Sequence, residues 1–208
     1  ATGCAVNCRY CFRRHFDYAD NRLSRDERNS ALDYIRSDSS ITEVILSGGD
    51  PLMLQDSALA DLIAAIDEIN HVRRIRIHTR LPVVIPQRLT AELQSTLSNT
   101  RCDNAMVLHV NHPNELTSLQ GERLRELRNS GVTLLNQSVL LQGVNDDIVI
   151  LAELSQKLFT MGVLPYYLHL PDKVEGTQHY FVSDKEATAL YLGCLLYTSD
   201  AADERTCG

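Results

Sequence analysis

Three shortages narrow what this sequence can encode. Basic residues are short: 20 Lys and Arg against 27 Asp and Glu leave a formal charge of -7 over 208 residues. That balance argues against a general nucleic-acid surface, because phosphate binding needs clustered cations in excess; local basic clusters are still allowed. Long apolar runs are missing as well. No stretch of about 18 apolar residues occurs, so no transmembrane helix is expected. Paired thiols are the third shortage: of six Cys, three sit in one early cluster and no second Cys pair follows. A disulfide framework would want an even count at spread spacings in a short secreted domain, and a structural zinc site would want two Cys-x2-Cys pairs or one such pair with a His pair. What is present, 44% hydrophobic and 23% charged residues, is ordinary for a soluble globular chain with one well-buried core.

The early cluster reads Gly3-Cys4-Ala5-Val6-Asn7-Cys8-Arg9-Tyr10-Cys11-Phe12-Arg13-Arg14-His15-Phe16, with thiols spaced Cys-x3-Cys-x2-Cys. Thiolates this close can converge on one iron-sulfur cluster, because a short irregular loop can wrap a compact inorganic core. A [4Fe-4S] cluster usually takes four thiolates, so a triplet leaves one iron open to another ligand. Zinc is the competing reading, with His15 the one nearby addition to the ligand set. The spacing resembles the signature of the radical S-adenosylmethionine enzymes, in which the open iron chelates the amino and carboxylate groups of that cofactor. Thiols kept for a reducible cluster imply a reducing compartment, and so a cytoplasmic protein.

Behind the cluster, strand and helix patterns alternate. Residues 24–37 read as a helix with Ser24 as N-cap and Glu27 as its box partner. The apolar run 43–47 reads as a buried strand ended by Gly48-Gly49-Asp50-Pro51, and 57–69 as a helix. The unit repeats: strands are expected at 74–79, 105–110, 132–140 and 163–170, and helices at 90–98, 114–129 and 147–161. Repeated βα units imply an α/β fold with a parallel sheet, either a partial (β/α) barrel or an open sheet. Chemistry in such folds collects at the C-terminal ends of strands. Here those ends are Ser47-Gly48-Gly49-Asp50, His78-Thr79-Arg80, His109-Val110-Asn111-His112, Asn136-Gln137-Ser138 and His169-Leu170-Pro171-Asp172, all polar.

Each cluster has a plain reading beside a functional one. Gly48-Gly49-Asp50 is either a simple turn or a backbone cradle for the amino end of S-adenosylmethionine. His109 and Gln137, on neighbouring strands, are either satisfied structural groups or neutral polar contacts to an adenosyl and methionyl ligand; His78 and His112 stay ambiguous. Arg13 and Arg14 are either a solvated pair or a grip on a substrate carboxylate, since a guanidinium can hold a carboxylate by two parallel bonds. Asp172, at the far rim, could accept from an ammonium, and with the Arg would measure out a diamino acid.

Taken in order, the cysteine segment, Leu46-Ser47-Gly48-Gly49-Asp50-Pro51-Leu52, Arg76-Ile77-His78-Thr79-Arg80-Leu81-Pro82, Asn136-Gln137-Ser138-Val139-Leu140-Leu141 and Tyr166-Tyr167-Leu168-His169 resemble the lysine 2,3-aminomutase family, and within it the branch that serves elongation factor P. The likeness runs from residue 1 to about 191. It implies a partial TIM-like barrel of the radical S-adenosylmethionine type, an isomerase, and a [4Fe-4S] cluster on Cys4, Cys8 and Cys11. It implies S-adenosylmethionine contacts from Gly48, Gly49, Asp50, His109 and Gln137, and lysine contacts from Arg13 and Asp172. The implied reaction draws on an external electron donor, takes a hydrogen from C3 of L-lysine through a 5'-deoxyadenosyl radical, and moves nitrogen from C2 to C3 on pyridoxal phosphate. The product, β-lysine, would go to elongation factor P.

The resemblance also sets limits. The family's pyridoxal phosphate lysine is expected downstream of these residues and its phosphate-binding residues upstream, so the chain is expected to start inside a larger domain and to be truncated at both ends. Lys173 and Lys185 do not sit where that lysine would, and each is expected to be a solvated surface residue. The stretch from Cys194 to Glu204 lacks the preceding pattern and resembles translated sequencing-adapter read-through, against the alternative of an amphipathic C-terminal helix. The expected division is therefore a core at 1–191 and a non-native tail at 192–208, with Cys194 and Cys207 outside any site. A mutase for another amino acid such as glutamate, and a non-catalytic iron-sulfur or zinc module, are the alternatives.

Overall fold

The computed structural model describes residues 3–11, 13 and 24–203. Arg14, His15 and Cys207 lie outside the described residues. The order of elements is α1 (Arg25–Ser37), β1 (Glu43–Leu46), α2 (Asp56–Asp67), β2 (Arg74–Thr79), α3 (Leu81–Val84), α4 (Ala91–Ser98), β3 (Asp103–His109), α5 (Ser118–Asn129), β4 (Thr133–Val139), α6 (Ile148–Thr160), β5 (Leu164–His169) and α7 (Asp184–Asp203). Single 3-10 turns cover Pro51–Met53, Pro86–Arg88, Pro113–Glu115 and Gln178–Tyr180.

Local chemistry sets these boundaries. Ser24 caps α1 as expected: its Oγ accepts from Glu27 N at 3.2 Å while Glu27 Oε2 accepts from Ser24 N at 2.7 Å, a reciprocal pair that satisfies two otherwise orphaned N–H groups. Thr90 and Asp147 cap α4 and α6 by their side chains alone, accepting from Leu93 N and from Val149 N and Ile150 N. The helix expected over 114–129 is broken. Its first residues form the 3-10 turn Pro113–Glu115, because Glu115 Oε1 accepts from Asn111 N and His112 N at 2.7 and 2.9 Å and bends the chain back. The α-helix restarts at Ser118, where Gln120 Oε1 accepts from the backbone N–H and the hydroxyl of Thr117.

All four strand pairings are parallel and the spatial order is β1-β2-β3-β4-β5. Consecutive order has no reversal point, and right-handed crossovers then put every helix on one face. That decides between the two expected architectures in favour of a barrel segment. The alternation of side chains bears it out. Ile75, Ile77, Met106, Leu108 and Leu134 point toward the helices and are essentially inaccessible, packed with Leu59, Ile63, Ile66, Leu93 and Leu124 in one core. The opposite parity carries Glu43, Arg76, His78, His109 and Gln137 to the concave face. β5 is exposed along its whole length. Cys102 belongs to the core. α7 passes residue 192 as one helix and packs Ala187, Leu190 and Cys194 against Leu140, Leu151 and Val182. No helix among the described residues is long and apolar enough to cross a membrane.

Candidate active site

The strand register brings the concave-face residues together at one rim. His109 pairs with Gln137 across β3 and β4, and His78 pairs with Val107 two residues before His109. The rings of His78 and His109 meet edge to face with centroids 6.1 Å apart. Both Nε2 atoms are buried with no hydrogen-bond partner among the described residues. Buried imidazole nitrogens usually have partners, so an orphaned pair facing one cavity marks a place where a polar ligand belongs. Burial, reinforced by the charges of His78, Arg80 and His169, pushes the His109 pKa down to about 3, so this ring is neutral at pH 7. Burial, and then the charge of Arg76, lowers His78 too.

The depressed value has a stability consequence. The unfolded chain takes up the His109 proton near pH 6.5 while the folded chain refuses it down to about pH 3. Stability therefore rises with pH across that window and is lost as the solution is acidified through it. Chemical denaturation at pH 7 and pH 5 should show a loss of about 2 kcal/mol from this group. A His109→Gln variant should lose correspondingly less over the same pH step; an unchanged pH dependence would contradict the assignment.

The cysteine loop docks on this rim through backbone contacts. Asp50 N donates to Gly3 O at 2.7 Å, seating the residues before Cys4 against the end of β1. Gly49 makes the approach sterically feasible: a Cβ there would lie within 2.8 Å of the backbone carbon and nitrogen of Gly3. Gly48 holds φ at 110°, a conformation that favours glycine. Its carbonyl accepts from Arg13 Nη1 at 3.2 Å, so the Arg expected to meet substrate also ties the loop to the turn after β1.

Asp50 is a clamp. Its Oδ1 accepts from Leu52 N at 3.0 Å and Thr79 Oγ1 at 2.6 Å; its Oδ2 accepts from Arg80 N at 2.8 Å and Leu81 N at 3.0 Å. These bonds fasten the turn after β1 to the turn after β2. Cys4, Cys8, Cys11, Arg13, Gly48, Gly49, Asp50, His109 and Gln137 all line one cavity of about 210 Å³, together with His78 and Arg80. Desolvation and then the Asp50 charge raise the Cys4 pKa, with Cys11 and Cys8 acting in the same direction, so Cys4 lies within electrostatic reach of both other thiols. No group of three His, Cys, Asp or Glu among the described residues is gathered tightly enough for a single metal ion.

Other candidates separate from this group. Asp172 is exposed and lines a different cavity, of about 470 Å³, with Lys173 and Phe181. Lys173 and Lys185 are exposed, as expected. His112 Nδ1 accepts from Asn114 N at 3.1 Å and serves as a turn cap. Asn136 and Ser138 are spent on structure: Asn136 exchanges bonds with the Val110 N–H and carbonyl at 2.9 and 3.1 Å, and Ser138 donates to the same carbonyl at 2.6 Å. Of the other contributors, His78 was left ambiguous by the sequence and Tyr10 was not weighed. His78 shares the parity of Arg76 on β2, opposite the buried Ile75 and Ile77, and that alternation was the available signal. Tyr10 inside the cysteine loop gave none.

Residues 1–154 match the Radical SAM superfamily. The chain belongs to the radical SAM superfamily. Membership of this superfamily implies S-adenosylmethionine and a [4Fe-4S] cluster at a three-cysteine loop, and the cavity described above has the donor set for both. Among curated relatives, the chain is 57% identical over 189 residues to an L-lysine 2,3-aminomutase of Haemophilus influenzae, covering 91% of this chain and 56% of that protein. It is 50% identical over 185 residues to an L-lysine 2,3-aminomutase of Escherichia coli, covering 89% and 54%. The chain thus spans about half the length of these relatives. Among solved structures, Streptococcus suis SuiB bound to the precursor peptide SuiA superposes with a TM-score of 0.69 at 17% identity, covering 99% of this chain and 45% of that one; this likeness concerns the radical SAM fold alone.

Proposed function

We propose that this chain carries the cluster-and-cofactor half of an L-lysine 2,3-aminomutase, an isomerase that makes β-lysine. One observation carries the reading: the three thiols, the Gly48-Gly49-Asp50 turn and the His109–Gln137 pair line a single cavity, in a chain 57% identical to an enzyme of that name. Cys4, Cys8 and Cys11 would hold the cluster, Gly48 and Gly49 would bring backbone close to the methionyl end of the cofactor, and neutral His109 with Gln137 would meet its polar groups without adding charge. When bound, the reduced cluster supplies the electron that splits S-adenosylmethionine and so starts hydrogen abstraction from the substrate. Asp50 orders the turn, and Arg13, which lines the same cavity and donates to the Gly48 carbonyl, would meet the substrate carboxylate. Asp172 is proposed for the substrate ammonium on the strength of the family resemblance alone. Pyridoxal phosphate is part of the proposal for the whole enzyme, with its lysine outside these residues, and delivery of β-lysine to elongation factor P is its proposed destination. A core at 1–191 with a non-native tail at 192–208 is likewise a proposal, with α7 running unbroken across that boundary.

The test is product identity. The protein extended to the full length of its relatives, reconstituted anaerobically and given L-lysine, S-adenosylmethionine, pyridoxal phosphate and a reductant, should yield β-lysine by chromatography of derivatised amino acids. β-Glutamate from glutamate with no β-lysine from lysine would replace this reading by another amino-acid mutase.

A further inference from the structure

The cysteine loop has a second anchorage, and it contains a charge. Tyr10, between Cys8 and Cys11, points its hydroxyl away from solvent to the ends of β2 and β3. Its oxygen accepts from Arg80 Nη1 and, at 2.8 Å, from Asn111 Nδ2. Arg80 Nη2 donates to Glu115 Oε2 at 2.6 Å, and the two side chains retain only 19% and 22% of their accessible surface. An arginine stays protonated at neutral pH, and the Glu115 carboxylate paired with it favours the charge against burial. The Tyr10 bond holds this cation two residues from Cys8, on the wall of the same cavity. Arg80 also lines the cavity of the three thiols, and its Nε is buried with no partner among the described residues.

We propose that Arg80, held by Tyr10 and Glu115, raises the reduction potential of the cluster bound by Cys4, Cys8 and Cys11. The proposal rests on the reading of those thiols as cluster ligands. Reduction adds one electron, and hence one negative charge, to the cluster from an external low-potential donor. A fixed cation in a low-dielectric setting stabilises the product of that step more than the reactant, and so moves the potential upward. Glu115 works against it, as an anion on the far side of the same guanidinium. The arrangement gives two variants with opposite signs, which general loosening of the loop would not produce.

Protein reconstituted with iron and sulfide should be titrated with dithionite and followed by electron paramagnetic resonance, giving a midpoint for each variant. Arg80→Gln should shift the midpoint to more negative potential, Arg80→Lys should recover part of that shift because it keeps the charge, and Glu115→Gln, which retains an oxygen acceptor for Asn111 and His112, should shift it to more positive potential. Equal midpoints in wild type, Arg80→Gln and Glu115→Gln would overturn the proposal. So would shifts of the same sign in both. If Arg80→Gln fails to take up iron, Glu115→Gln still decides, since an unchanged or more negative midpoint there overturns the idea. Wild-type protein that binds no cluster at all would sink the underlying ligand assignment, an outcome distinct from a loaded cluster whose potential ignores Arg80.

Discussion

Asp50→Ala should lose on the order of 4 kcal/mol of folding stability. Asp50 is only 6% exposed, and its carboxylate accepts from four donors, three of them backbone N–H groups in two different turns. Removing it leaves buried donors without partners, and each such group costs about 1–3 kcal/mol, with some recovered by water entering the gap. Leu81 N has a second acceptor in Thr79 Oγ1 at 3.1 Å, so it suffers least. Asp50→Asn should recover only part of the loss, because an amide can keep one acceptor but must turn its NH2 group toward the Arg80 and Leu81 N–H donors or the Leu52 and Thr79 donors. Urea denaturation of the apoprotein measures both. An Asp50→Ala variant within about 1 kcal/mol of wild type would mean that the carboxylate is not the clamp between these turns.

Gly49→Ala should separate the cysteine loop from the rim while leaving the sheet intact. The added methyl collides with the backbone of Gly3, which cannot rotate away as a side chain could. Overpacking of this kind costs about 1–3 kcal/mol. Here the strain can be relieved by giving up the bond between Asp50 N and Gly3 O. At about 1.4 kcal/mol per factor of ten, that lowers the docking equilibrium of the loop by roughly five- to a hundredfold. The expected result is a variant with wild-type circular dichroism whose iron content after reconstitution falls severalfold. Wild-type iron content would show that the loop does not need this approach. Gly48→Ala tests a different property, the positive φ, and should act through strain in the turn.

How much of this could be seen in the sequence differs from residue to residue. The thiol spacing is a local property, and Cys4, Cys8 and Cys11 all line one cavity; their binding of a cluster stays a proposal. The βα alternation was equally legible, because apolar periodicity reports which face of each element is buried. The choice between barrel and open sheet was not, since it depends on strand order, a non-local fact settled here by the run β1 to β5 without reversal. Asp50 shows the same limit at a single residue. Its place after a strand and two glycines drew attention to it, but the donors that occupy its carboxylate come from Thr79, Arg80 and Leu81, some thirty positions along the chain. Polar rim residues look alike in sequence whether they face a ligand or staple neighbouring turns. Asn136 and Ser138 turned out to be staples, and His78 turned out to face the cavity. Tyr10 was hidden altogether, because its partners Arg80 and Asn111 lie 70 and 101 residues away.

The central claim is that the cysteine loop and the rim of β1 to β4 form one site for reductive cleavage of S-adenosylmethionine. Anaerobically reconstituted protein, incubated with that cofactor and dithionite, should release 5'-deoxyadenosine, measurable by liquid chromatography. The Cys8→Ala variant under identical conditions should release none above the protein-free control. Equal release from the two proteins would contradict the account.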